Sequence, residues 1–378
     1  MEARSENKFD IAVIGAGMAG LTCAQQLQQA GYSVVVVEKS RGVGGRVATR
    51  RVGNTRVDHG ARYLEPKSEL LRRLVLVLRS RGIVDIWTDT TYAVNPITGK
   101  LSVAEAGGWC LYYVAPEGMN AVGKFLASDL NIWLNRRVQR LAAKDGKIWY
   151  LTLEAANEDA QTPTELTARA VVVAIPAPQA LILLAPLTDL PAEFLRKVRY
   201  AEYQPCISVL AAYPAFRQQD MAQRDVGWRA VIFPKESQLA WIGWDSSKRA
   251  LSAQPVFVLH SSPEFAQQYL DAEDLQPAAQ ALIAEAAKFL LPWGNSPEWM
   301  QVHRWRYAFP SYPLSETCLS AATPLPLVCC GDWCGGDVGG NFIESALNSG
   351  IAAAKTVNQF LENLDLPGEG FWDAIARK

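Results

Sequence analysis

Three clusters of residues in this chain have the types and spacing that chemistry needs. The first is Gly15-Ala16-Gly17-Met18-Ala19-Gly20, with Glu38 at the end of the next apolar run. Gly15 permits a tight turn, Gly17 leaves the backbone bare for a pyrophosphate, and Gly20 lets a helix pack close to a sheet. The start of that helix, through Met18 and Ala19, would offer unpaired N–H groups to phosphates. The Glu38 carboxylate suits the two hydroxyls of a ribose. The second cluster is Lys39 and Arg41 followed by Gly44-Gly45-Arg46, then Asp58-His59-Gly60-Ala61. Paired glycines again allow a close backbone approach, and Arg46 supplies a fixed cationic donor. The third is Cys330-Gly331-Asp332, with Gly340-Asn341-Phe342-Ile343-Glu344-Ser345-Ala346 beyond it.

The elements that must position these clusters are legible around them. Phe9 to Ile14 is a short apolar strand, Leu21 to Gln29 a helix, and Ser33 to Val37 an uninterrupted β-branched run, as expected of a parallel strand buried on both faces. Lys39 to Asn54 lacks apolar periodicity and is expected to be an extended loop. Ala170 to Ile175 and Leu327 to Cys330 read as further buried strands, and Phe342 to Phe360 as a helix. Strand-like segments fill the intervals: Trp87 to Trp109, Ile132 to Leu134, Val138 to Leu141, Ile148 to Leu153, Cys206 to Ala211, Ala230 to Phe233, Leu239 to Gly243 and Val256 to His260. Leu70 to Arg79, Asn120 to Leu126, Ala266 to Leu270 and Ala278 to Leu290 read as helices, and Gln301 to Tyr307 as an edge strand. The nucleotide-type pieces lie at the beginning, middle and end of the chain. They predict an α/β (mixed α+β) protein whose Rossmann-like nucleotide domain is discontinuous, 1–75, 165–200 and 320–378. A second domain with a mixed or antiparallel sheet is expected at 76–164 and 201–319.

Composition removes several alternatives. The chain has 378 residues, 49% of them hydrophobic and 20% charged, values that exclude collagen-like and disordered proteins. The formal charge of −1 gives no basic excess for a nucleic-acid partner. Seven cysteines at irregular spacing and three histidines suggest neither a disulfide framework nor a metal site, and point to buried thiols in a reducing compartment. A mixed-charge start without a signal pattern, and no long apolar stretch, lead us to expect a cytoplasmic protein with no integral membrane segment.

The Gly-Gly-Arg element after the ribose acid resembles the glutathione-reductase-like FAD superfamily, and more closely the amine-oxidase-like flavoproteins. That resemblance implies FAD. It places Gly44-Gly45-Arg46 along the pyrophosphate, Asp58-His59-Gly60-Ala61 near the flavin ring, Asp332 on the ribitol, and the helix after Asn341 at the flavin N1/O2 edge. Gly340 would keep backbone close to the ring. Cys330 and Cys334 do not match a cysteinyl-flavin element. Further segments resemble the renalase family: Gly42 to Arg50, Asp58 to Ala61, Trp241-Ile242-Gly243-Trp244-Asp245-Ser246-Ser247-Lys248-Arg249, Val258 to Phe265, His303-Arg304-Trp305-Arg306-Tyr307-Ala308, and the Asp332 segment. Departures from the renalase pattern occur at Trp244, where an arginine or another polar residue is expected, and after Arg249, which lacks a Pro-Gly turn.

The resemblance implies a p-hydroxybenzoate-hydroxylase-like topology. It also implies hydride transfer from 2- and 6-dihydro isomers of NAD(P) to flavin N5, with O2 as acceptor giving hydrogen peroxide. Such a step needs alignment and an electropositive flavin edge rather than a strong acid or base. Trp241, Trp244, Trp305 and Tyr307 are candidates to wall a flat nicotinamide, although core packing is the commoner role for each, since aromatic residues dominate cores as well. His260 and His303 are candidates to orient a carboxamide or to move a proton, or are structural. Lys248, Arg304 and Arg306 are candidates for substrate phosphates or the N1/O2 region, or are solvated charge. Rival functions are a flavin amine oxidase or dehydrogenase, which commonly holds a water near N5 with a lysine, a carotenoid-desaturase-like enzyme, and a non-enzymatic flavoprotein assembly factor. The sequence leaves the oligomeric state open.

Overall fold

The computed structural model describes residues 7–104, 110–144, 146–155, 163–222, 227–250, 252–336, 341–366 and 370–376. The chain forms two compact units, each assembled from separate stretches. One comprises Met1–Gly45, Gly123–Glu202 and Pro310–Lys378, the other Arg46–Val122 and Tyr203–Phe309. Among the described residues no helix is long and apolar enough to cross a membrane.

The first unit is built on a largely parallel sheet. Strands Asn131–Trp133, Val34–Val37, Lys8–Ile14, Glu165–Val173 and Leu327–Cys329 lie side by side in that order, all parallel. Their side chains are buried on both faces in the centre, which is why Val34-Val35-Val36-Val37 shows no polar alternation. Helix Met18–Gln29 connects two of the strands, and the long helix Phe342–Glu362 packs on it. The Glu165–Val173 strand has two partners along one edge. Its second half pairs with Leu327–Cys329, and its first half pairs antiparallel with Ile148–Ala155, which forms a hairpin with Arg136–Lys144.

The second unit carries a seven-stranded sheet in the order Trp299–Pro310, Tyr203–Ala212, Val256–Ser261, Leu239–Trp244, Ala230–Ile232, Tyr92–Val94, Leu101–Val103. Ala230–Ile232 and Tyr92–Val94 run parallel, while the other pairings with a described register are antiparallel. One face is the core. Val209, Leu259 and Ile242 form a row across it and pack with Ala278, Leu282 and Ile283 of helix Gln276–Phe289. The Trp299–Pro310 strand is the edge strand expected at 301–307.

Two expectations need correction. The segment expected to be an extended loop contains strand Thr49–Val52, paired antiparallel with Thr55–Asp58. Its partner follows directly across Gly53-Asn54, but Thr49-Arg50-Arg51-Val52 carries no apolar alternation, so no hydrophobic periodicity announces it. The units also divide at Gly45/Arg46 and Val122/Gly123, not after 75 and 164. Strand Asn131–Trp133 and the 136–155 hairpin extend the first unit's sheet, whereas the 49–58 hairpin is tied to Lys248 and Arg249 of the second. A strand's pattern tells which of its faces is buried, not which sheet it joins.

Candidate functional sites

In the first unit, four chain segments meet along the carboxyl edge of the parallel strands. A single rung of backbone hydrogen bonds records it: Glu38 N donates to Trp133 O, Gly15 N to Val37 O, Ala174 N to Ile14 O, and Cys330 N to Val173 O, at 2.8 to 3.0 Å. Glu38, Gly15, Ala174 and Cys330 therefore stand side by side. Gly15 and the Gly331-Asp332 turn, at opposite ends of the sequence, are two strands apart, roughly 10 Å at ordinary strand spacing. Ligands of open parallel sheets collect at this edge.

The glycine turn is sterically specified. Gly15 has φ of +106°, and a Cβ there would lie 2.6 Å from Ala174 O. A Cβ on Gly20 would lie 2.1 Å from Gly15 O, whereas one on Gly17 would meet nothing within 4 Å, so the middle glycine faces open space. Gly17 caps helix Met18–Gln29 with no side-chain hydrogen bond, which leaves the first-turn N–H groups without a side-chain cap. Glu38 Oε2 accepts from Ala16 N and Oε1 from Ser40 N, both at 2.8 Å. Each carboxylate oxygen keeps a second lone pair for a ribose hydroxyl. The Gly44-Gly45 segment lies directly against the glycine turn: Gly44 N donates to Ala16 O at 2.8 Å, and a Cβ on Gly45 would be 3.3 Å from Gly17 Cα.

On the neighbouring strand end, Asp332 is buried and Gly331 N donates to Ser349 Oγ at 2.9 Å. Asn341 caps helix Phe342–Glu362 through the N–H of Glu344, with Ile343 half-buried and Ser345 and Ala346 buried in the first turn. Gly340 lies outside the described residues. Lys39 reaches Gln179, and Arg41 is exposed. Cys330 and Cys334 are buried, and burial pushes both thiols well up, so they persist as thiols rather than thiolates. An acid for the ribose, a bare glycine cradle, an uncapped helix start and a buried carboxylate two strands away fit a flavin dinucleotide.

The second unit divides its candidates between the two faces of its sheet. Along Trp299–Pro310, Met300 and Val302 pack on the core, and Arg304 follows them. Arg304 donates to Tyr269 O and Ala272 O at 2.9 and 2.7 Å, and Arg306 to Leu270 O and Asp271 at 2.9 and 2.8 Å. Trp244 also packs on the core side. These residues are occupied there, which corrects their candidacy for substrate contact. The opposite face carries His303 and Trp305 on the edge strand, with His260 and Trp241 as direct cross-strand neighbours. Strand alternation makes this split.

Segment Asp58 to Tyr63 joins that second face. Gly60 has no side chain because a Cβ would lie 2.0 Å from Arg46 O, and Ala61 N donates to the same carbonyl. Arg46 itself donates to Ala308 O at 3.1 Å and lies over the Tyr203 ring. The His59 ring stacks on Trp305, with centroids 5.4 Å apart and planes 22° apart, and Trp305 Nε1 donates to His59 O at 2.8 Å. His303 meets both rings edge-on. Arg50 donates to His303 Nδ1 at 3.3 Å, and Arg62 Nε to His260 Nδ1 at 3.2 Å, so each of those nitrogens is an acceptor. Burial, then His303 and Arg50, lower His59 to about 3; burial and Arg50 lower His303 to about 4; burial and Arg62 hold His260 well below its ordinary value. All three imidazoles are neutral at pH 7, which corrects the idea that His260 or His303 carries a mobile proton.

Lys248 is also corrected. Its Nζ lies 3.1 Å from Asp58 and 2.9 Å from Asp245, and Arg249 bonds the same two carboxylates at 3.2 and 2.8 Å. Asp58 accepts in addition from Thr49 Oγ1 and Met119 N. Burial would raise the Asp58 carboxyl, but Lys248 and Arg249 outweigh it and keep it ionised. Two acids and two bases meet in a structural clamp, in which burial and the neighbouring Asp58 raise the Asp245 carboxyl against the pull of Lys248 and Arg249. Residues that sequence reading missed are Arg50, Arg62 and Tyr63. Arg62-Tyr63 directly follows the Asp-His-Gly-Ala element, and extending that motif by two residues is the signal that would have found them.

Two family models match. The NAD(P)-binding Rossmann-like domain covers residues 13–76, and flavin containing amine oxidoreductase covers 86–358. Among curated proteins, amine oxidase [flavin-containing] B of Mus musculus is 42% identical over 128 residues, 34% of this chain and 22% of the mouse protein. An L-amino-acid oxidase of Echis ocellatus is 52% identical over 48 residues, 13% of this chain and 10% of that protein. The matched stretch is thus less than a quarter of either relative's length. Among solved structures, a wild-type putrescine oxidase bound to putrescine superposes with a TM-score of 0.65 at 14% identity, covering 92% of this chain and 98% of the other. A cyclohexylamine oxidase from Brevibacterium oxydans gives 0.66 at 14% identity, covering 94% and 99%. These likenesses establish a shared fold.

Proposed function

Because the chain belongs to the flavin containing amine oxidoreductase family, whose members are FAD-dependent oxidoreductases, we propose that it is a renalase-type oxidase of dihydronicotinamide nucleotides. The observation that carries this reading is the state of Lys248. It is the buried lysine among the described residues, and it is locked between Asp58 and Asp245. A lysine so engaged is not free to hold the water that amine oxidation commonly uses. The three neutral histidines likewise provide no strong acid or base, and hydride transfer from a dihydropyridine requires none. FAD, when bound, supplies the hydride acceptor and passes the electrons on to O2, giving hydrogen peroxide.

The protein's own contribution is placement. Gly15, Gly17, Gly20, Glu38, Gly45, Gly331, Asp332, Asn341 and the first turn of the last helix would hold the dinucleotide. Half-buried His303 and Trp305 would present flat, uncharged surface to a planar donor, backed by the buried His59, Trp241 and His260, and exclude water from it. The second reading, oxidation of a small amine, is favoured by the family match itself. Anaerobic mixing of the holoprotein with equilibrated NADH isomers and, separately, with small amines decides between them. We expect flavin bleaching by the isomers, followed by peroxide on admission of oxygen. Rapid bleaching by amines and none by the isomers overturns the proposal.

A further inference from the structure

Arg62 is a cation that no carboxylate pairs among the described residues. Its Nε donates to the neutral His260 ring and its guanidinium lies over the Trp241 indole, 4.8 Å from the ring centre. Trp241 in turn lies flat on its own strand, because Gly243 has no side chain: a Cβ there would be 2.2 Å from the indole. The guanidinium is thus held one aromatic layer above the sheet, half-buried. Among the described residues no Asp or Glu forms an ion pair with it. Two buried acids of the same unit, Asp58 and Asp245, are both engaged by Lys248 and Arg249. Burial draws the Arg62 pKa down, and only the weak acids Tyr63 and Cys206 act against it. The neighbouring imidazole stays neutral and cannot serve as its counter-charge.

A guanidinium has five donors in a planar fork; the ring of His260 takes one and Tyr63 another. Leaving such a group uncompensated costs stability that packing alone has no reason to spend. We propose that half-buried Arg62 receives an anionic group of the electron donor, a carboxylate or a phosphate, beside the face of the seven-stranded sheet that carries Trp241 and His260. This rests on the oxidoreductase reading above and narrows its substrate class to donors that carry negative charge. Trp241 and His260 act as positioning residues that fix the plane of the fork.

The test is calorimetric titration of the oxidised holoprotein with benzoate, its neutral isostere benzamide, and inorganic phosphate, which needs no turnover. Benzoate or phosphate should bind, benzamide at least tenfold more weakly than benzoate, and the stronger of the two anions identifies the group. Arg62→Met should weaken anion binding about ten- to a hundredfold with the flavin spectrum unchanged. Arg62→Lys, which keeps the charge but not the fork, should fall between. If Arg62→Met fails to fold, the benzoate-to-benzamide ratio of the wild type and the Arg62→Lys value still decide. Equal binding of benzoate and benzamide, no binding of either anion, or wild-type affinity in a folded Arg62 variant overturns the proposal. Anion selectivity without flavin bleaching by any donor would leave Arg62 standing and remove the hydride reading.

Discussion

At the carboxyl edge of the parallel sheet, what is offered to a ligand is mostly backbone: glycine Cα atoms, uncapped N–H groups and two carboxylates on strand ends. On the face of the seven-stranded sheet opposite its core it is side chains, contributed by five separated stretches of chain and held by each other. The first arrangement tolerates almost no change in shape, because its atoms are already at contact distance. The second depends on charge as well as on shape, because its rings are packed on one another while its ions meet in pairs. The two regions should therefore fail differently when mutated.

The largest effect is expected at Gly20. Valine there sets side-chain atoms against Gly15 O, where a Cβ alone would approach to 2.1 Å. We expect a loss of about 4 kcal/mol or more, seen as a colourless or aggregated preparation by flavin absorbance and thermal melting. A yellow, wild-type-like Gly20→Val would end the contrast drawn here. Next comes Asp58→Asn in the second unit, which leaves Lys248 and Arg249 sharing one carboxylate. Breaking such a buried set costs about 3 to 5 kcal/mol, to be read by urea unfolding, and Asp58→Glu should not restore it because the clamp has fixed reach.

Glu38→Gln should raise the FAD dissociation constant about tenfold with little change in melting temperature of the apoprotein. Fluorescence titration of released flavin measures it. Smaller is the effect of pH on stability. His59 falls from an ordinary 6.5 to about 3 and His303 to about 4 in the folded chain. The unfolded chain binds those protons first, so their stabilisation is complete above pH 6.5 and is lost as pH falls toward 4 and then 3. For His59 the slope is at most about 1.4 kcal/mol per pH unit, and for the half-buried His303 it is less. His59→Gln should flatten the acid limb of a stability–pH curve by up to one proton. Smallest of all is Arg306→Gln. Its exposed pair with Asp271 predicts a stability change within about 0.5 kcal/mol and an unaltered rate of flavin reduction in stopped flow, whereas a large rate loss would return this residue to the substrate side.

The same difference explains what could be read in advance. The glycine turn, its strand and helix, and Glu38 were legible because a dinucleotide imposes constraints on consecutive residues. The Gly-Gly-Arg and Gly-Asp elements entered through the family resemblance, and the fold sets Gly44-Gly45 against the glycine turn and Asp332 buried at a strand end. The edge strand and most buried strands showed in their runs of apolar residues. The basic-aromatic stretch at 303–307 was visible as a unit but not as two opposed sets, because alternation separates arginines from aromatics without saying which set meets the helices. Lys248 looked like a phosphate ligand because its two acids, Asp58 and Asp245, are distant or unremarkable in sequence.

By itself, then, the sequence determined the nucleotide-binding class of the first unit, since backbone geometry there follows from local residue types. Only the tertiary structure decided which charges are spent. It closed Lys248 and Arg249 on two carboxylates, set Arg304 and Arg306 on carbonyls, and laid Arg62 over an indole with no acid paired to it among the described residues. Charge compensation depends on distances between residues far apart in the chain, and those distances exist only after the sheets have formed.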